Sequence, residues 1–125
     1  MSSGLDGLQV QGPVGPPRDG PLFECSVQRR GGTVVLALRG ELDIAMTDTL
    51  DRAARDALDA GCRHLVIDLR ALEFVDSCGL RALLRVRAQT GESVRFELVQ
   101  GPPAIARVFE LTGLTSTLPF RDSPP

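Results

Sequence analysis

Hydrophobic and polar positions fall into a regular order only from Leu22 onward. FECSVQR (23–29) and TVVLALR (33–39) read as two strands, joined through Gly31-Gly32, a pair suited to a two-residue hairpin turn with positive φ. Gly40-Glu41-Leu42-Asp43 then carries the chain to a helix expected from about Thr47 to Ala60. Leu50, Ala53, Ala54, Ala57 and Leu58 form its apolar stripe. Asp48, Asp51, Arg52, Arg55, Asp56 and Asp59 fall on the other side, with opposite charges four apart, as on a solvated face. Gly61 is expected to stop the helix in a left-handed cap.

HLVIDL (64–69) is an unbroken apolar run with branched side chains, the mark of a strand covered on both faces. After a short loop, a second helix is expected from Ser77 to about Thr90, with Leu80, Leu83, Leu84 and Ala88 inward and Gly91 ending it. VRFELV (94–99) reads as a strand. Pro102 and Pro103 suit the first turn of a third helix, where no intrahelical N–H is needed. Ile105, Val108, Phe109 and Thr112 give its inner face, Gly113 ends it, and a short strand is expected around Thr117–Phe120. The order β-β-α-β-α-β-α-β predicts one α/β domain, a mixed sheet of about four to five strands with helices packed against it. Its expected bounds are 22–121, between a Gly/Pro-rich tail over 1–21, expected to be disordered, and a short tail over 122–125.

Composition narrows the function. A chain of 125 residues fits a single domain, and no apolar run approaches the ~20 residues of a membrane span, so a soluble cytoplasmic protein is expected. With no Trp, no Tyr and a net charge of −2, a nucleic-acid binder built on stacking and a basic face is disfavoured. Cys25, Cys62 and Cys78 are odd in number and none are spaced C-x-x-C, which argues against both a disulfide scaffold and a structural zinc site. No metal or cofactor is expected. Cys78 lacks the arginine six positions on that a phosphatase loop needs, since that place is Leu84. His64, the only histidine, opens an apolar run as a strand-end residue would, and Ser77 lacks the G-x-S-x-G elbow of a hydrolase nucleophile. Nothing here argues for an enzyme.

The most informative stretch is IDLRALEFVDSCGLRALLRVR (67–87), where a buried strand leads to Asp76-Ser77 at a helix start. Serine is a preferred N-cap, and the exposed N–H groups and positive dipole end of a helix also tolerate a phosphate dianion. Gly79 is expected to leave the first turn open to close approach by another protein, and Arg81, four residues on, to reach a phosphate on Ser77.

GELD (40–43), IDL (67–69), VDSCGL (75–80) and LTGL (111–114) together resemble the bacterial anti-sigma-factor antagonists of the STAS-domain family, over about residues 22–120. The resemblance implies a single STAS-type domain that switches partners. Ser77 takes the place of the serine phosphorylated by a kinase that is also the anti-sigma factor. Asp76 matches the acidic residue before it, and Asp43 the acidic residue of GELD at the kinase-facing edge. Asp43, Asp76, Ser77, Cys78, Gly79 and Arg81 thus form the implied partner-binding set. The unmodified form binds the anti-sigma factor and frees a sigma factor, the phosphorylated form lets go, and a serine phosphatase resets it. ATP is used by the kinase, and this chain is expected to be a monomer or weak dimer. The same resemblance admits an adaptor subunit of a membrane transport complex or signalling assembly, against which the retained Ser77 argues. Two positions depart from the family's habit. Cys78 stands where Ser, Thr or Ala is usual and places an oxidisable thiol beside Ser77. Met46 replaces a frequent capping Thr, so Thr47 is expected to cap.

Overall fold

The computed structural model describes residues 23–125, so the tail expected over 1–21 lies outside them. The chain begins with a hairpin, β1 (Glu24–Arg30) against β2 (Thr33–Leu42), paired antiparallel from Glu24↔Arg39 to Arg30↔Thr33. Of the two turn glycines only Gly31 takes positive φ, at 60°. β2 runs through Gly40-Glu41-Leu42, which the sequence suggested was already a connection, and a 3-10 turn (Ile44–Met46) leads into α1 (Thr47–Asp59). β3 (His64–Val75), α2 (Ser77–Thr90), β4 (Arg95–Val99), α3 (Pro103–Leu111) and β5 (Phe120–Arg121) follow.

The five strands lie in the order β1-β2-β3-β4-β5, with β2 to β5 parallel. Three successive crossovers moving the same way across a sheet, each of the usual hand, place all three helices on one face. One buried cluster accordingly joins Leu50 and Ala57 of α1, Leu83 and Val86 of α2, and Ile105 and Phe109 of α3 to Leu36, Ile67 and Leu98 of the strands. Fully burying a leucine such as Leu50 or Leu83 contributes about 1.5–3 kcal/mol. Val35, Val66 and Val99 form a second, smaller buried cluster, so HLVIDL is covered on both faces as its composition suggests.

Glycine ends all three helices as expected, Gly91 (φ 62°) as the C-cap of α2 and two others in a common closure. At α1, Gly61 (φ 86°) donates to Leu58 and Cys62 to Ala57, and at α3, Gly113 (φ 77°) donates to Glu110 and Leu114 to Phe109, both Schellman closures. Five expected details do not hold. The last strand is only Phe120–Arg121, because Thr117 and Leu118 donate back to the Leu114 carbonyl in a turn. Leu84 and Ala88 face outward on α2, whose inner face is instead Gly79, Leu80, Ala82, Leu83, Val86 and Thr90. Thr112 is exposed, its hydroxyl bonded back to Val108 and Phe109 carbonyls at the helix end. Asp51 is not on a purely solvated face, because Arg85 of α2 reaches across to it at 2.8 Å. Finally, the loop expected before Ser77 is strand.

That strand extension shapes the functional end. β4 pairs with β3 only from His64 to Asp68, whereas β3 continues beside β2 to Val75. Two register shifts, between Ala37 and Arg39 and between Gly40 and Glu41, give β3 an extra residue each time. Such bulges bend a strand and re-aim its side chains. The result is a two-stranded arm whose tip is Leu42 and Val75.

Candidate functional site

Parallel pairing of Leu42 with Val75 brings the two acidic motifs together at this tip. Asp76 N–H donates to the Leu42 carbonyl at 3.3 Å, tying the strand ends just where both chains turn toward the helices. Asp43 and Asp76 are both extended, with ψ −175°, and both cap the turn that follows. Asp43 Oδ1 accepts from Ala45 N–H at 3.0 Å, and Asp76 Oδ1 accepts from Gly79 N–H at 2.8 Å. Each carboxylate satisfies an orphan donor and faces the positive end of a helical turn.

The cap of α2 is therefore Asp76 and not Ser77, a correction with a chemical consequence. Asp76 is the last extended residue, so its side chain overhangs the helix start, while Ser77 already has the first helical position. Ser77 is exposed, and its hydroxyl makes no hydrogen bond to any described residue. A capping serine would have its oxygen engaged by a backbone N–H; here the oxygen is available. Thr47 does not cap either. Met46 holds the N-cap position of α1 without a side-chain bond, and Thr47 Oγ1 donates to the Ile44 carbonyl at 3.1 Å.

Gly79 also differs from expectation. It is buried, and a Cβ there would lie 2.6 Å from the Leu42 carbonyl oxygen and 2.8 Å from Val75 Cγ2. Its small size lets the first turn of α2 seat on the strand tip, which positions Ser77, and opens nothing to solvent. Cys78 is half-buried at the second helical position, with a free thiol. Arg81 is exposed one turn after Ser77, on the same side of the helix, and joins no ion pair among the described residues. Asp43, Asp76, Ser77 and Gly79 are thus brought together by the tip, with Cys78 and Arg81 following along α2.

Two apolar side chains at this end were not singled out by the sequence: Ile44, 70% exposed, and Phe74, 47% exposed. The available signals were an isoleucine inside a capped turn and a phenylalanine where strict alternation breaks. Away from the tip, His64 Nε2 lies 2.7 Å from Glu97 Oε1, as befits a strand-end residue with a partner. Arg121 and Arg95 also reach Glu97, at 2.8 and 3.2 Å, so one carboxylate links β3, β4 and β5. Burial pushes the Glu97 carboxyl up, but hydrogen bonds from His64 and Arg121 and the charges of Arg95 and Arg121 hold it below the usual range. Burial pushes the Cys25 thiol up to about 12, which keeps it protonated and inert.

No helix among the described residues is long and apolar enough to cross a membrane. The anti-sigma-F factor antagonist RsfB of Mycobacterium tuberculosis is 34% identical over 92 residues, covering 74% of this chain and 75% of that protein. Among solved structures, an anti-sigma factor antagonist from Mycobacterium paratuberculosis superposes with a TM-score of 0.75 at 31% identity, over 82% of this chain and 87% of its own. The anti-sigma factor antagonist SpoIIAA in its unphosphorylated form gives 0.65 at 27% identity, over 82% and 89%. The STAS domain profile matches residues 24–124, all of the described residues but the first and last, and the chain belongs to the STAS domain family.

Proposed function

We propose that this protein is an anti-sigma factor antagonist that works by partner switching in the cytoplasm, with Ser77 as the phosphoacceptor. The observation that carries the reading is the free, exposed hydroxyl of Ser77 at the first position of α2, released from capping duty by Asp76. Relatives of similar length are anti-sigma factor antagonists, which supports the same role here. The unmodified protein binds an anti-sigma factor that is also a serine kinase, freeing a sigma factor. The kinase brings ATP and transfers its γ-phosphoryl group to Ser77 Oγ, the hydroxyl proton leaving to a kinase base or solvent and ADP remaining on the kinase. A serine phosphatase later hydrolyses the ester with water, releasing inorganic phosphate and restoring the hydroxyl.

Phosphorylation adds about −1.5 to −2 charges beside Asp76. Asp76 is tied to Gly79 N–H, so it does not swing aside without giving up a cap worth about 1 kcal/mol. In the free protein, solvent, the helix dipole and Arg81 accommodate the new charge, and the fold stays as it is. Inside a dry interface, the same charge beside a fixed carboxylate costs several kcal/mol. A loss of about 3 kcal/mol weakens binding roughly a hundredfold, enough for a switch.

The test is capture of partners by wild type, Ser77→Ala and Ser77→Asp, followed by incubation with ATP and mass spectrometry. Wild type and Ser77→Ala are expected to retain an anti-sigma factor, only wild type to gain phosphate, and Ser77→Asp to bind weakly. Phosphate on another residue, or equal retention by Ser77→Asp, would overturn the reading.

A further inference from the structure

Among the described residues four large apolar side chains are well exposed: Ile44, Phe74, Leu84 and Leu111. Two of them, Ile44 and Phe74, stand at the tip, Ile44 next to Asp43 and Phe74 two residues before Asp76. Each is held out by a local device. Ile44 opens a 3-10 turn fastened by the Asp43 side chain, by Met46 N–H on the Asp43 carbonyl at 3.0 Å, and by the Thr47 hydroxyl on the Ile44 carbonyl. Phe74 is held out by the second register shift. Leu72 and Val75 both face the core, three residues apart, because Glu73 is the extra residue opposite the step from Gly40 to Glu41. With strict alternation Phe74 would share the face of Leu72 and Val75 would point out.

These side chains stand exposed on ordered backbone, so their burial by a partner carries little ordering cost. The same bulges discourage a partner strand from pairing along the β3 edge beyond Asp68, which leaves side-chain packing as the means of recognition. The occupant follows from continuity with Ser77. A hydroxyl that enters a kinase active site brings its neighbours at the tip into contact with the same protein.

We propose that Ile44 and Phe74 are the apolar anchors by which the phosphorylating anti-sigma factor grips the tip of the β2–β3 arm, one from the turn after β2 and one from the bulge in β3. This rests on the partner-switching reading and adds a division of labour. Ser77 carries the switch, and the two anchors carry much of the affinity.

The experiment measures the Kd of wild type, Ile44→Ser, Phe74→Ser and Leu111→Ser for the anti-sigma factor kinase that phosphorylates Ser77, without ATP, alongside thermal unfolding. Losing burial of one such side chain is expected to weaken binding about thirtyfold. Phe74→Leu is expected to keep most of the affinity, and Leu111→Ser, at the far end of α3, to match wild type. Ile44→Ser and Leu111→Ser are expected to melt near wild type, whereas Phe74→Ser, at a half-buried strand position, melts lower, so every Kd is measured well below the unfolding transition. If Ser77→Asp binds weakly but Ile44→Ser and Phe74→Ser bind as wild type does, the anchors are refuted and partner switching stands. If wild type binds no kinase that modifies Ser77, both fall.

Discussion

Replacing Gly79 with alanine sets two effects against each other. Alanine is a better helix former than glycine by about 1 kcal/mol, so an open helical site would gain stability. At Gly79 the new Cβ would stand 2.6 Å from the Leu42 carbonyl oxygen, 2.8 Å from Val75 Cγ2 and 3.0 Å from Leu42 Cγ. The first obstacle is backbone in a paired strand and has no rotamer to change. Overpacking of this kind costs about 1–3 kcal/mol, and relief requires lifting the first turn of α2 from the tip. That movement also strains the 2.8 Å bond from Gly79 N–H to Asp76 and the 3.3 Å bond from Asp76 N–H to Leu42. The expected net loss is about 1–2 kcal/mol, or roughly 5–10 °C in Tm for a domain of this size. Urea and thermal unfolding measure the loss, and the rate of Ser77 phosphorylation reports the displaced hydroxyl. A Gly79→Ala protein that melts at or above the wild-type temperature would show that helix propensity wins and that the packing argument is wrong.

Asp76→Ala is expected to cost about 1 kcal/mol in urea unfolding through loss of the α2 cap, while Asp76→Asn, which keeps a side-chain acceptor, costs a few tenths. Equal losses for the two would mean that charge rather than capping dominates. Glu97→Gln tests the clamp across β3, β4 and β5. Because the fold holds the Glu97 carboxyl below its ordinary 4.5, its contribution is complete above about pH 4.5 and fades as pH falls through the folded value. Wild type is therefore expected to be the more stable protein at pH 7 and to lose that advantage on acidification. An advantage that persists unchanged in strong acid would sink the assignment.

Much of the fold is legible along the chain because its signals are local. The Gly31-Gly32 turn, the glycine closures at Gly61 and Gly113, the prolines opening α3 and the Ser77–Thr90 helix all depend on a few neighbouring residues. The Asp76-Ser77 pair is legible as a helix start for the same reason. Which of the two caps it is not, since both side chains can accept the bond; the cap goes to Asp76 because pairing of Leu42 with Val75 holds Asp76 extended to the end of β3. The adjacency of Asp43 and Asp76 likewise comes from parallel register between strands far apart in sequence. LRALEFV looks like the end of a strand and a loop because its apolar spacing changes phase, and only its pairing with β2 shows that the phase changes are bulges. Those bulges turn Phe74 out, and the tip they build makes Gly79 indispensable for packing. Patterns of propensity and periodicity act over a few residues, whereas register, close approach and exposure depend on a partner strand whose distance along the chain carries no local signal.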